Sequence, residues 1–464
     1  MSGRLIVVSN RIPTEAEPSG GLVVALHDCL TARGGVWIGT SGDPQASPEP
    51  KLRQIADGPY TRMVFDISPE EHEGYYLGYA NSVLWPLFHR RADLIDLQPD
   101  FADHYMEVNR RLAQMLADFT TPDDLIWVHD YHFLPLAALM REAGVTARIG
   151  FFLHIPFPVV ADIMALPQAG DLKTWVAEFD VFGVQTQGDV ARVMAHYRDD
   201  PGAVFNTQGR MVASDTGMRP RHFPIGIDAQ EFAKLAAREE VNVQLGMTAG
   251  QKLVLGVDRL DYSKGLRHRF DGFATYLDRR TPDSPKATLL QIAPPSREDV
   301  DAYRDIRTEL EQTSGMINGA HAELDWTPIR YIRRSVDRDR LAGLYRRADV
   351  AMVTPLADGM NLVAKEFVAA QDPEDPGVLI LSHFAGAAEQ LSDALLVNPY
   401  DPQDVALALE QALVMPLDER KRRHASLRDN VMKENIGWWT DRYLTALQTA
   451  PAPQPDLYVP GSAA

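Results

Sequence analysis

A chain of 464 residues is too long for one compact core and suits two ordinary domains. Its 46 Lys and Arg stand against 64 Asp and Glu, a formal net charge of −18 that argues against nucleic acid or an anionic membrane as partner. A small anionic substrate stays open to it, needing only a local cluster of cations in a cleft.

From the N-terminus, residues 1–10 hold too short an apolar stretch for a signal peptide and read as a strand. No window approaches the roughly 20 apolar residues of a membrane span, so the cytoplasm is the expected location. Cys29 is the one cysteine and reads as a small core residue on an early helix. Short apolar runs bounded by turn residues follow at 5–8, 125–128, 149–153 and 181–184, then at 253–257, 288–292, 350–353, 378–381 and 395–397. Helix-length segments lie between most of them, at 135–143, 267–277, 300–311 and 340–347. Continuous hydrophobicity marks strands buried on both faces, so the chain is expected to be α/β, two doubly wound domains. The expected division is 1–235, 236–440 and a last stretch at 441–464 that ends in an irregular Pro-rich tail. Two such domains in tandem are expected to form a cleft at the carboxyl ends of their strands.

Polar residues gather where these strands end. Val7-Val-Ser-Asn-Arg11 leads to Gly20 and Gly21 before a helix, a turn that either offers amides to an anion or simply joins two elements. Asp130, flanked by His129 and His132, ends one strand, and His154 ends the next. In the second half Arg259 and Lys264 follow one strand and Arg297 another. Thr354 to Glu366 runs from a strand through Asp358, Gly359 and Met360 into a helix, whose first-turn amides near Asn361, Leu362 and Val363 suit a phosphate. Neither a P-loop nor a Gly-x-Gly-x-x-Gly fingerprint occurs. Asp337 and Asp339 match a metal-nucleotide D-x-D pattern, but they precede a helix and read as its N-cap. Cations and helix amides together can hold a departing diphosphate, so no metal and no cofactor is expected.

The ordered set Val7-Val-Ser-Asn-Arg11, Gly20-Gly21, Val83-Leu-Trp-Pro86, Trp127-Val-His-Asp-Tyr-His132, Phe152-Leu-His-Ile-Pro-Phe-Pro158, Asp258-Arg-Leu-Asp-Tyr-Ser-Lys-Gly265 and Asp358-Gly-Met-Asn-Leu-Val-Ala-Lys-Glu366 resembles the bacterial trehalose-6-phosphate synthase family. The resemblance covers residues 4–445. It implies a GT-B fold, two Rossmann-like domains with the last helix crossing back, and a retaining transfer of glucose from UDP-glucose to glucose 6-phosphate. By it, Arg11, Tyr76 and Arg297 meet the acceptor phosphate, Trp85 packs on the acceptor sugar and Asp130 bonds its hydroxyls. Gly20 and Gly21 approach the donor diphosphate and Arg259 and Lys264 hold it. Asp358 takes the donor glucose hydroxyls, Glu366 the ribose, and the backbone from Leu362 onward, through Val363, Ala364 and Lys365, the phosphates, with Gly359, Met360 and Asn361 also on the donor side. His154 lies beside the transferred glucose. Val336 stands where relatives carry an aromatic residue near the nucleobase, which leaves uracil preference open. No fused phosphatase domain is expected, and a homo-oligomer is. The alternatives are a sister transferase acting on another phosphorylated acceptor such as glycerol 3-phosphate, and a catalytically dead sugar-phosphate sensor. The retained Arg259, Lys264 and Glu366 argue against the sensor.

Overall fold

Apolar runs buried on both faces pair as parallel strands, because only helices packed above and below keep such strands from water. The computed structural model describes residues 3–13, 21–198, 203, 205, 211, 217–241, 245–247, 250–296 and 301–451. In chain order the strands are β1 (Leu5–Arg11), β2 (Val36–Thr40), β3 (Arg53–Ala56), β4 (Thr61–Phe65), β5 (Leu125–His129), β6 (Arg148–Phe152), β7 (Val181–Val184) and β8 (Pro220–His222). After them come β9 (Lys252–Val257), β10 (Ala287–Ile292), β11 (Ile329–Ile332), β12 (Val350–Val353), β13 (Val378–Ser382) and β14 (Leu395–Val397).

The first eight strands form one sheet in the order β3-β4-β2-β1-β5-β6-β7-β8, and the last six a second in the order β11-β10-β9-β12-β13-β14. The second is the doubly wound order in which the chain winds outward from one strand, then returns to wind the other way. Its reversal lies between β9 and β12; that of the first sheet lies between β1 and β5. Loops leaving the carboxyl ends of those strand pairs diverge to opposite sides and leave a crevice, which is where such sheets hold ligands.

The chain divides into two compact units, Met1–Pro224 with Trp439–Ala464, and Ile225–Trp438. This corrects the expected boundary at 235. Helix Ala229–Ala236 buries Phe232 and Leu235 and sets Phe232 6.0 Å from Tyr345 of the second unit, so the break falls before it. At the C-terminal end the break falls at Trp439 where 441 was expected. Helix Ile436–Gln448 returns at Trp439 to the first sheet, where Tyr443 stacks on Trp127 at 4.5 Å and its hydroxyl donates to the Phe151 carbonyl at 2.9 Å. That approach requires glycine on the strands beneath: a Cβ on Gly150 would lie 2.4 Å from the Tyr443 Oη, and one on Gly183 2.7 Å from its Cε2. Of the tail, residues 452–464 lie outside the described residues.

Two further elements position the site. Residues His72–Leu84 form a helix wider than an α-helix, in which the side chains of Asn81 and Ser82 donate to the carbonyls of Tyr76 and Leu77, and the Trp85 amide to that of Ala80. Ser68 and Glu71 cap its approach, with Glu71 held by Arg111 of helix Phe101–Phe119. Helix Arg338–Arg347 does begin after Asp337, but that side chain makes no capping hydrogen bond, so the N-cap role expected of it is filled in position only.

Candidate functional site

Strand β1 ends at Arg11, whose guanidinium donates to the Tyr76 hydroxyl at 3.1 Å and lies 5.3 Å over its ring. Tyr76 comes from the wide helix and stacks in turn on His132, 5.9 Å away with 13° between the planes. The adjacent Tyr75 hydroxyl donates to Asn10 Oδ1, so one helix holds both the Asn10 side chain and the cation at the end of β1. Trp85 is 4% exposed, packed against His89 at 4.0 Å and Tyr131 at 5.7 Å, and forms part of an aromatic wall rather than a protruding side chain.

Asp130 follows β5 with φ at +72°, a conformation that non-glycine residues adopt at a cost. Its amide donates to the Phe152 carbonyl at 2.8 Å and its Oδ1 accepts from the His154 amide at 3.3 Å, tying the end of β5 to the turn after β6. His154 Nε2 faces His129 Nδ1 at 3.0 Å. Burial pushes His154 down to about 3 and His129 well below the usual range, so both rings are neutral near pH 7. His154 is therefore a neutral hydrogen-bonding group, not an acid. Gly21 opens helix Gly21–Arg33. Gly20 and Arg297 lie outside the described residues.

In the second unit the Asp258-Arg259 pair of the motif splits. Asp258 is buried and accepts from Arg269 Nη1 at 2.6 Å, while the same fully buried guanidinium donates to Gln291 and Thr354. Burial holds the Asp258 carboxyl above its ordinary range against the opposing pull of Arg269. Asp258 thus fastens the loop to β10 and to the end of β12, and Arg259 is left exposed. Asp261 secures the next turn, accepting from the Ser263 amide at 2.9 Å and the Tyr303 hydroxyl at 3.0 Å. Gly265 takes φ +64° with room for no Cβ, since one would sit 2.2 Å from the Thr354 carbonyl oxygen. The loops after β9 and β12 are thereby held together, with the Leu356 amide donating to the Ser263 carbonyl at 2.7 Å.

The result is a cluster. Lys264 Nζ donates to Asp358 Oδ2 at 2.6 Å, and Asn361 Nδ2 donates to the same oxygen at 3.0 Å. Asn361, at φ +82°, caps helix Leu362–Ala370 by accepting from the Ala364 amide at 3.2 Å. Ala364 is therefore engaged, and the first-turn amides left outside the intrahelical ladder are those of Leu362 and Val363. Gly359 and Met360 are buried, and the Met360 carbonyl accepts from the Ala387 amide at 2.8 Å. Glu366 is half-buried, its carboxyl pushed up to about 7 by burial with Tyr345 and Arg338 opposing. The expectation for Lys365 concerns its backbone, and the structure shows what its side chain does. Its side chain is fully buried and donates to the Ile225 carbonyl and Gln390 Oε1, each at 2.7 Å, which makes it a fastener of the helix. Val336 is half-buried in the turn after β11.

Each unit so presents a cationic, polar strand-end constellation, the second with the free start of a helix. Sequence reasoning missed Arg269 and Asp261, whose partners are distant in the chain, and gave His129 no role of its own.

The sequence profile of glycosyltransferase family 20 matches residues 4–449. The trehalose-6-phosphate synthase of Salmonella paratyphi B is 43% identical over 459 residues, spanning 98% of this chain and 97% of that one. The Cronobacter sakazakii enzyme of the same name is 43% identical over 462 residues, spanning 98% and 97%. Among solved structures, an alpha,alpha-trehalose-phosphate synthase (UDP-forming) from Burkholderia xenovorans in complex with glucose-6-phosphate superposes with TM-score 0.91 at 44% identity, covering 96% of this chain and 100% of that one. An E. coli relative bound with UDP-2-fluoro glucose superposes with TM-score 0.91 at 42% identity, covering 97% and 100%. Two doubly wound units, matched over nearly their whole length, make this a GT-B chain, and it belongs to glycosyltransferase family 20.

Proposed function

We propose that the chain is a UDP-forming trehalose-6-phosphate synthase, moving glucose from UDP-glucose to the anomeric hydroxyl of glucose 6-phosphate with retention. The observation that carries this reading is the Lys264–Asp358–Asn361 cluster at the reversal point of a doubly wound sheet. It stands in a chain 44% identical to a synthase solved with glucose-6-phosphate.

Chemistry of this kind makes a specific electrostatic demand. As the bond from glucose C1 to the diphosphate oxygen lengthens, positive charge spreads over the sugar and negative charge gathers on the leaving group. Arg259, Lys264 and the amides of Leu362 and Val363 supply positive potential already oriented toward an anion, which lowers the barrier without reorganisation. Lys264 donates to Asp358 at 2.6 Å. An arriving diphosphate competes for the ammonium, and the released carboxylate turns to the donor hydroxyls. The acceptor oxygen bonds to C1 on the face the diphosphate leaves, and its proton passes to the departing phosphate oxygen.

In the same reading Arg11, Tyr76 and Arg297 hold the acceptor phosphate, Trp85 walls the acceptor sugar and Asp130 bonds its hydroxyls. Gly20 and Gly21 border the diphosphate, Glu366 takes the ribose, the backbone at Val336 lies near the base, and His154 meets the transferred glucose. Because protein cations neutralise the leaving group, turnover is expected to persist in EDTA. A cytoplasmic homo-oligomer belongs to the proposal as well. The decisive assay pairs several nucleoside diphosphate glucoses with glucose 6-phosphate and with glycerol 3-phosphate, measuring diphosphate release and product. A disaccharide phosphate formed from UDP-glucose and glucose 6-phosphate is the expected result; equal turnover with glycerol 3-phosphate would overturn the acceptor assignment.

A further inference from the structure

His129 is fully buried, and its only hydrogen-bonding contact among the described residues is the 3.0 Å approach of its Nδ1 to His154 Nε2. Its other nitrogen, Nε2, is buried with no partner. The ring is closed in by Trp127 at 4.5 Å and, from the returning C-terminal helix, Trp439 at 6.4 Å. His154 is the half-buried member of the pair.

Two neutral imidazoles that share one hydrogen bond have two arrangements, since each ring carries one N–H. If His154 donates from Nε2, His129 must accept at Nδ1 and carry its own proton on Nε2, where a buried N–H has no acceptor. If His129 donates from Nδ1, its Nε2 is a bare lone pair. Orphaned buried N–H groups are rarer than under-satisfied acceptors. The indole nitrogens of Trp127 and Trp439, also buried without partners, are donors too, so a third N–H would add to an excess of donors while a lone pair does not. We infer that His129 is a positioning residue that donates its Nδ1 proton to His154 Nε2 and so holds His154 as the tautomer protonated on Nδ1. His154 then meets a ligand through Nδ1 as a hydrogen-bond donor, suited to a hydroxyl oxygen of the transferred sugar. That last consequence rests on the placement of His154 beside the donor glucose.

The test compares His129→Asn with His129→Leu, two side chains of similar size. Asn places an amide N–H at the position of Nδ1; Leu places none. Selective ¹⁵N labelling of histidine reads the His154 tautomer directly, and steady-state kinetics with UDP-glucose and glucose 6-phosphate read its effect. The expected wild-type signature is a proton on His154 Nδ1. His129→Asn keeps that signature and stays within about 3-fold of wild-type kcat. His129→Leu mixes the tautomers and loses about 10-fold in kcat with little change in KM for glucose 6-phosphate. A wild-type proton on Nε2, or a Leu variant that keeps both tautomer and kcat, overturns the inference. His154→Ala separates the two layers: undiminished kcat there removes His154 from the sugar, while the tautomer result still judges His129.

Discussion

Arg259 and Lys264 carry the same charge into the same loop, yet the structure gives them different standing. Arg259 is exposed, whereas Lys264 and Asp358 are only 14% and 12% exposed and bonded to each other. Either change to Ala is expected to lower kcat by roughly 10²–10³, because each removes a charge-assisted contact to the leaving group. Their stabilities should diverge. Arg259→Ala should melt with the wild type, while Lys264→Ala strands a largely buried carboxylate and should lose about 1–3 kcal/mol in urea unfolding. Near-wild-type turnover in either would remove that residue from the diphosphate site. Arg11 makes a separate case. With its guanidinium against the Tyr76 hydroxyl, Arg11→Ala should slow reaction with glucose 6-phosphate by roughly 10- to 150-fold and with free glucose hardly at all. Kinetics on both acceptors decide it, since an equal penalty on the two would mean Arg11 does not hold the phosphate. These cations were legible in the sequence because each follows an apolar run that could only be a buried strand. Asp258 and His129 were not, because what they do depends on Arg269 and His154, which lie elsewhere in the chain and meet them only in the folded sheet.

At the scale of elements, legibility followed periodicity. Runs such as 253–257 and 350–353 declared themselves by unbroken hydrophobicity and became β9 and β12. Strand β3, Arg-Gln-Ile-Ala, lies at a sheet edge, mostly exposed, and had no such signature. The wide helix His72–Leu84 repeats at neither 2 nor 3.6 residues, so no periodicity rule finds it, although it carries Tyr76. The return of the C-terminal helix was expected from the family resemblance alone; its physical mark in the sequence is the pair Gly150 and Gly183 on strands otherwise bulky. Gly150→Ala should cost about 1–3 kcal/mol by pressing a methyl into Tyr443, as overpacked cores do. The clash is with the hydroxyl, so Gly150→Ala combined with Tyr443→Phe should be less destabilised than the two single changes summed. Denaturant midpoints for the four proteins give the coupling, and strict additivity would show that the glycine is not there for this contact.

Over the whole molecule, buried titratable groups set opposing pH dependences. The first unit holds His129 and His196 buried and His154 half-buried, with His154 lowered to about 3 and His196 to about 4 by desolvation. A histidine whose folded pKa is depressed binds its proton only on unfolding, so its contribution is present above about 6.5 and is lost as pH falls toward the folded value. Glu366 of the second unit, raised to about 7, binds its proton in the folded state and so contributes stability over the same descent, opposed there by His424, which burial lowers. Asp180, raised by burial, opposes the histidines within the first unit, but its ordinary range lies lower. Between pH 7 and 5 the histidines should therefore dominate the first unit, each contributing a slope of at most about 1.4 kcal/mol per pH unit. Five of the seven tryptophans, Trp37, Trp85, Trp127, Trp175 and Trp439, belong to that unit and only Trp326 and Trp438 to the other, so intrinsic fluorescence follows mainly its unfolding. Its thermal midpoint is expected to fall on acidification from pH 7 to 5. His196 offers the clean check, because both its ring nitrogens are buried without partners and it lies outside the proposed site. His196→Leu should leave kcat unchanged and make the midpoint's decline with pH shallower, since one proton fewer is taken up on unfolding. An equally steep decline in that variant would mean that the fall does not come from neutral histidines buried in the fold.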